Sequence, residues 1–237
     1  MNLSQQYPTM QDFEKALALA QGAIEVIRQP LYDYNLYATA GVGNLQFFTF
    51  PQGQGLSVSP GNAGNAKQLT DTNLIVASQL PAPQAYWVAS IEVDFEPGSS
   101  AAANTFAIQD PSAHVAQSTA LVQAGENDKM NVLSSASLRL FIGQKVYYEE
   151  GPLYRFPPRT CDYLDVAIAS NSVTTAEDLK ALIWQEGDRV ILDPGFAIMT
   201  SMNFGVTLAW PAVVNTPSGF NGRIGVILDG WQYRAVQ

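Results

Sequence analysis

The sequence predicts an all-β fold of two tandem β-sandwiches, each of about eight strands, preceded by an amphipathic helix. Three observations support this prediction. The 237 residues are 47% hydrophobic and only 14% charged, with 18 glycines and 14 prolines, a composition typical of short strands joined by turns. Runs of β-prone residues follow one another in two series along the chain. One segment near the N-terminus has the apolar spacing of a helix.

The N-terminal helix is predicted over residues 10–28, within an arm formed by residues 1–30. Thr9 and Asp12 resemble a capping box before it, and Pro30 follows its last turn. Because the charges of its polar face nearly cancel, packing against the same domain or a neighbouring subunit is favoured over binding to an anionic membrane. Spacings of four and three place the apolar residues on one helix face: Phe13, Leu17, Ala20, Ile24 and Ile27.

The first sandwich is predicted over residues 31–130. Its candidate strands are YNLYATA, LQFFTF, GLSVS, TNLIVAS, AYWVASIEVDF, NTFAI and HVAQSTALV. The glycine-rich stretches PQGQG and PGNAGN are interpreted as loops, because neither opens a predicted helix as a phosphate cradle would. In the longest candidate strand, apolar and mostly polar residues alternate, which predicts a sheet with one solvated face. The apolar positions are Trp87, Ala89, Ile91, Val93 and Phe95.

The second sandwich is predicted over residues 131–237. Its main candidate strands are SLRLFI, QKVYYE, YLDVAIA, RVILD, NFGVTLAW, RIGVILD and WQYRAV, with a tight hairpin at Gly143 between the first two. A short helix is predicted near residues 175–185, since Thr174 and Glu177 resemble a capping box and helix formers follow. The stretch AGENDKMN between the two series is either a linker or a short helix.

The sequence contains no pattern typical of an enzyme, so no catalytic, cofactor-binding or metal-binding residue is predicted. A net charge of −9 argues against a broad nucleic-acid surface, and single residues of histidine (His114) and cysteine (Cys161) exclude a multi-histidine metal site and an internal disulfide. Glu149 and Glu150 are the most tempting acidic pair for glycan hydrolysis. On a strand their side chains point to opposite faces and cannot converge on one bond.

Three stretches together resemble major capsid proteins of tailless icosahedral phages with an internal membrane. They are TDTNLIVASQLPAPQAYWVASIEVDFEPG, LRLFIGQKVYYEEGPLYRFPP and RIGVILDGWQYRAVQ, and the similarity extends discontinuously from Leu69 to Gln237. The resemblance implies two eight-stranded jelly rolls in tandem, a vertical double jelly roll, assembled as homotrimeric pseudo-hexagonal capsomers. It also implies that the N-terminal helix lies on the inner side of the shell, near the membrane or neighbouring capsomers.

The resulting hypothesis is a structural capsid protein located in the virion after synthesis in the host cytoplasm. The expected partners are copies of itself, minor capsid and vertex proteins and, peripherally, the internal viral membrane; no cofactor and no specific nucleic acid are expected. One alternative fold is a single jelly roll with long decorations. An alternative function is a carbohydrate-binding or two-carboxylate glycan-hydrolysing β-sandwich, for which the aromatic candidates are Trp87, Trp184, Trp210 and Trp231.

Overall fold

The chain is mostly β, as the sequence predicts. The computed structural model describes residues 24–59, 62, 64–98, 119–158, 162–169, 178–185 and 190–235. Within this part of the chain lie eleven strands and one α-helix, α1 (Thr119–Ser134). The strands are β1 (Ile24–Arg28), β2 (Leu31–Tyr37), β3 (Asn44–Phe47), β4 (Gln84–Glu96), β5 (Ser137–Ile142), β6 (Lys145–Glu150), β7 (Asp162–Ala169), β8 (Asp178–Gln185), β9 (Val190–Ile198), β10 (Phe204–Ala209) and β11 (Gly222–Ala235).

The strands form two main sheets and a separate hairpin. The first sheet has the order β2-β11-β4-β9, and β1 continues the line of β2 along the same edge of β11. The second sheet has the order β3-β10-β5-β6, while β7 and β8 pair only with each other. Every pairing between these strands is antiparallel.

The two main sheets enclose one hydrophobic core. Alternate side chains of β5 and β10 in the second sheet, and of β4 and β11 in the first, are buried in a single cluster. Burying one large aliphatic side chain contributes roughly 1.5–3 kcal/mol, so this shared core is the main source of stability. The central members of the cluster are Ile91, Val93, Leu138, Leu140, Val206, Leu208, Val226 and Leu228.

Strands from both predicted sandwiches pair with one another. β4 from the range 31–130 pairs along most of its length with β11 from the range 131–237, and β3 pairs with β10. The double jelly roll is therefore not confirmed. The expected strands GLSVS and TNLIVAS are wrong, because both lie in the connection between β3 and β4. Gly53 and Gly55 have φ values of +80° and +67° there, a conformation that interrupts extended backbone.

A β-bulge corrects the predicted faces of β4. Asp229 pairs with Ser90 and Gly230 pairs with Val88, so Ala89 is an extra residue on β4. Beyond the bulge, Ile91 and its alternate neighbours still face the main core. Trp87 instead faces the opposite side of the sheet, in a small second cluster with Ala85 and Ala89.

Two helix predictions are wrong where the structure describes them. Ile24 and Ile27 lie on β1, whose five residues pair with the end of β11, and residues 178–185 form β8 against β7. In both places pairing with another strand overrides local helix propensity. Phe13, Leu17 and Ala20, which belong to the same predicted helix, lie outside the described residues.

The single described helix occupies the boundary between the predicted halves. Helix α1 includes AGENDKMN, so the short-helix alternative is confirmed, and it also takes in the end of the expected strand HVAQSTALV. Val132 and Leu133 at its C-terminal end are buried in the main core. Within the described part of the chain, no helix combines the length and apolar character needed to cross a bilayer.

Candidate functional site

The connection from Phe48 to Pro83, here called the β3–β4 loop, is the most elaborate described feature outside the strands. Its backbone folds back on itself: Gln52 N donates to Leu74 O at 2.9 Å, and Ser57 N donates to Asn65 O at 2.8 Å. Phe48, Leu74 and Leu80 place their side chains in the main core. Hydrogen bonds within the segment therefore replace a strand ladder and hold the loop in one conformation.

An ion pair inside the molecule attaches the loop to β2. Lys67 Nζ lies 2.6 Å from Asp33 Oδ1 and also donates to Tyr34 O at 2.8 Å and Asn35 Oδ1 at 3.0 Å, so its three protons all have acceptors. The other carboxylate oxygen of Asp33 accepts from Phe48 N at 2.7 Å. Burial raises the pKa of Asp33, and the charge of Lys67 opposes that rise.

A second buried carboxylate organises the middle of the loop. The two oxygens of Asp71 accept four hydrogen bonds of 2.7–3.0 Å from the backbone N–H groups of Val58 and Gln68 and the hydroxyls of Ser57 and Ser59. Burial acts to raise the pKa of Asp71, but these donors outweigh it and the pKa is lowered. Asp71 thus joins residues 57–59 of the loop to the turn that begins at Gln68.

The loop is also tied to both sheets. Tyr34 N of β2 donates to Asp71 O at 2.8 Å, which covers part of the open edge of the first sheet. Phe204 N of β10 donates to Ser78 O at 2.8 Å, and Ser78 N donates to Phe48 O at the same distance. The loop therefore spans the side of the sandwich on which β2 and β3 lie.

The described outer surface of the loop carries no charge and exposes large apolar side chains among amides and small residues. Between Asp33 and Glu92 the sequence contains only two charged residues, Lys67 and Asp71, and both are buried. We call the surface formed by the exposed large apolar side chains that line one groove of this segment the neutral face. Its members are Leu36, Phe50 and Leu56; other exposed apolar side chains of the segment are Leu69, Ile75 and Val76.

A groove of about 710 Å³ lies within the neutral face. Leu36 of β2, Leu45 of β3, and Phe50 and Leu56 of the loop line it, together with amide side chains such as Asn35. Apolar walls with a few amides can accept an apolar segment of another protein surface. Among the described residues that line the groove, Lys67 is the only charged one, and it is buried.

A second groove, of about 580 Å³, lies on the outer face of the first sheet. Tyr32, Glu92, Arg223 and Asp229 are among its lining residues. The guanidinium of Arg223 lies 3.9 Å from the ring centre of Tyr34 and 3.2 Å from Glu96. Burial raises the pKa of Glu96, and Arg223 opposes that rise. An aromatic ring of this kind can bind a sugar, whereas Glu92 and Asp229 are buried and Arg223 already has protein partners.

The carboxylates of the acidic pair diverge, as the sequence predicts. Glu149 and Glu150 lie on β6 of the predicted hairpin, which is confirmed by the β5–β6 pairing and by the left-handed turn at Gly143, with φ of +63°. The carboxylate of Glu149 pairs with Arg139 on β5, whereas that of Glu150 contacts the Tyr148 hydroxyl and Arg155. The two groups have separate partners and do not converge on a shared position.

Two of the four aromatic candidates are buried in the packing of the sandwich. Trp87 and Trp210 are buried, and Trp210 Nε1 donates to Val132 O at 3.0 Å. Trp231 is partly exposed on β11, and Trp184 lies on β8, whose side chains are outside the described set. His114 and Cys161 also lie outside the described residues. Among the residues that are described, no three histidine, cysteine or acidic side chains converge as metal ligands would.

The chain matches no protein-family model, no curated protein and no solved structure. The function is therefore inferred from the geometry of the molecule.

Proposed function

We propose that this chain is the major capsid protein of a tailless icosahedral phage with an internal membrane, a structural subunit located in the virion. Its proposed partners are further copies of itself, minor capsid and vertex proteins, and peripherally the viral membrane. The observation that carries this proposal is the strand order of the two main sheets, β2-β11-β4-β9 and β3-β10-β5-β6.

That order supports a single eight-stranded jelly roll as the finer description of the fold. Successive strands along the chain cross from one sheet to the other, except at the β5–β6 hairpin, as in two Greek keys wrapped around one core. We propose that β1, the β7–β8 hairpin and α1 are additions to this jelly roll. Jelly rolls occur in viral capsid proteins and in lectins, so the fold alone does not select the function.

The character of the surface favours the capsid function within that group. A shell subunit needs complementary faces rather than a catalytic pocket, and interface cores are poor in charged residues. The neutral face has this composition, and the loop that carries it is held by buried hydrogen bonds and an ion pair. The proposal also agrees with the sequence resemblance.

Native mass measurement of the purified chain, followed by negative-stain microscopy, tests the proposal. The resemblance implies a homotrimer with a hexagonal outline. If each chain supplies one sandwich, the same outline requires six copies instead of three, so the copy number also distinguishes the two folds. Closed multimers that assemble into shells are the expected result. A chain that stays monomeric at about 100 μM, the upper end of the range in which specific complexes form, would overturn the proposal.

Glycan binding is a second candidate function, favoured by the groove on the outer face of the first sheet. Tyr32 lines this groove and offers a partly exposed ring face on which a sugar can stack. A glycan microarray probed with the labelled full chain tests it. Binding by a monomeric protein that is lost in Tyr32→Ala would favour this function over shell assembly.

A further inference from the structure

We infer that the neutral face is the surface through which copies of this chain bind one another. The inference rests on the proposed self-assembly and assigns it to particular residues. The contact would be centred on Phe50 and Leu56 of the β3–β4 loop, which line the groove together with Leu36 of β2.

The exposure of the neutral face is unusual for a surface in contact with water only. The exposed fractions are 68% for Leu56, 49% for Phe50 and 37% for Leu36. Single apolar residues are common on protein surfaces, but a group of them on one segment marks a place where another molecule binds. The 710 Å³ groove beside Phe50 gives this group a concave centre into which a partner side chain can insert.

Charge identifies the partner as a second copy. Each chain carries a net charge of −9, so two copies repel each other unless they approach through a surface without exposed acid. The neutral face has no exposed charge, because Lys67 pairs with Asp33 and Asp71 is enclosed by four donors. It also lacks the exposed cations that would attract nucleic acid or an anionic membrane.

The described part of the loop is held by hydrogen bonds within the single chain before any partner binds. Association usually loses free energy when flexible loops become fixed, and a preorganised surface avoids that loss. Here the Asp33–Lys67 pair, the four hydrogen bonds to Asp71 and the backbone bonds within the loop fix the neutral face. Apolar area can therefore contribute to affinity without first ordering the segment that carries it.

Paired aspartate substitutions in the full chain test the inference. Leu56→Asp and Phe50→Asp place a charge on the neutral face, while Ile191→Asp on β9 is a matched control. Ile191 is 68% exposed and lies on the opposite side of the sandwich, where β6 and β9 form the sheet edges. Sedimentation velocity over a concentration series gives the dissociation constant of each protein, and circular dichroism melts establish that each variant is folded.

We expect both neutral-face variants to weaken self-association at least about tenfold while Ile191→Asp behaves as the unaltered chain, since truncating a central contact residue typically weakens binding by this much or more. If the unaltered chain self-associates and the neutral-face variants do so equally well, the inference is wrong and the proposed function stands. Flotation of the unaltered chain with phosphatidylcholine vesicles, abolished by Leu56→Asp, would instead assign the face to lipid. A chain that never self-associates would overturn both proposals.

Discussion

Lys67 and Asp33 form an ion pair that is removed from solvent on both sides. Nζ and Oδ1 are 2.6 Å apart, and the two side chains are 2% and 0% exposed. The remaining protons of Lys67 and the second oxygen of Asp33 are also hydrogen bonded. A buried pair of this kind is tolerated because its groups are all satisfied, and removing one partner leaves the other charge in the interior.

Lys67→Met should therefore destabilise the protein by about 3–5 kcal/mol, measured as the free energy of unfolding in urea. Arg139→Met is the matched control, because Arg139 forms a 2.6 Å pair with Glu149 that is more than half exposed. Exposed pairs contribute about 1 kcal/mol or less, so the control should lose little. Equal losses in the two variants would show that the Lys67 pair does not hold the loop.

Asp71→Asn should destabilise the protein by roughly 2 kcal/mol at neutral pH, since all four groups around Asp71 donate and an amide NH₂ would face two of them. The pKa of Asp71 is lower in the folded protein than in the unfolded chain, where it is about 3.9. The carboxylate therefore stabilises the fold above the unfolded pKa, and this contribution is lost as pH falls through the folded pKa.

The measurement is the difference in unfolding free energy between the unaltered chain and Asp71→Asn from pH 7 down to about pH 3, a range that spans the ordinary aspartate pKa. The difference should be constant near neutrality and shrink in acid. Asp193→Asn, at an exposed position on β9, serves as the control and should show little difference at any pH. A difference in unfolding free energy that grew as the pH fell would mean that the pKa of Asp71 is not lowered by folding.

Gly230→Ala should disrupt the bulge that joins β4 to β11. A Cβ at this position would lie 1.8 Å from the carbonyl oxygen of Trp87, a backbone atom that cannot move without opening the ladder. We expect a loss of about 3 kcal/mol or more and a fall in Tm of about 6–12 °C, measured by calorimetry. Gly43→Ala is the control, because no heavy atom lies within 4 Å of the added methyl group. Similar melting temperatures for the two variants would contradict the bulge geometry.

Chains beginning at Ile24 and at Gln29 should differ in the protection of β11. The shorter chain lacks β1, which pairs with residues 231–235, and lacks Arg28, whose guanidinium lies 2.8 Å from Asp229. Backbone amides that lose a strand partner exchange faster with solvent. Hydrogen–deuterium exchange should therefore be faster at residues 231–235 in the chain beginning at Gln29. Identical exchange in both chains would mean that β1 does not pair with β11 in solution.

The parts of the fold that could be predicted from the sequence depend on neighbouring residues. The β5–β6 hairpin follows from the alternation in SLRLFI and from a glycine at the turn, and the PQGQG loop follows from its glycines. The faces of β4 could not be predicted in the same way. They are set by a bulge opposite Gly230, which lies far along the sequence from Ala89. The residues around Ala89 do not themselves indicate that a bulge forms there.

The helix predicted near residues 175–185 is wrong for a related reason. Residues 178–185 pair with the strand β7, and this pairing sets their conformation. Residues Asp33, Lys67 and Asp71 of the candidate site are separated in sequence, and only the folded loop brings them together. One signal was nevertheless available. The scarcity of charge between Asp33 and Glu92 is a property of the sequence and marks the neutral face.

The position of β11 has a consequence for synthesis. Of the described strands β11 is the last to be translated, yet it lies inside the first sheet between β2 and β4. Until the ribosome has made it, β2 and β4 keep open edges, and the nascent chain is exposed to misassociation. A chain that ends before β11 lacks the central strand of the first sheet, so β2 and β4 stay unpaired along the edges that β11 covers.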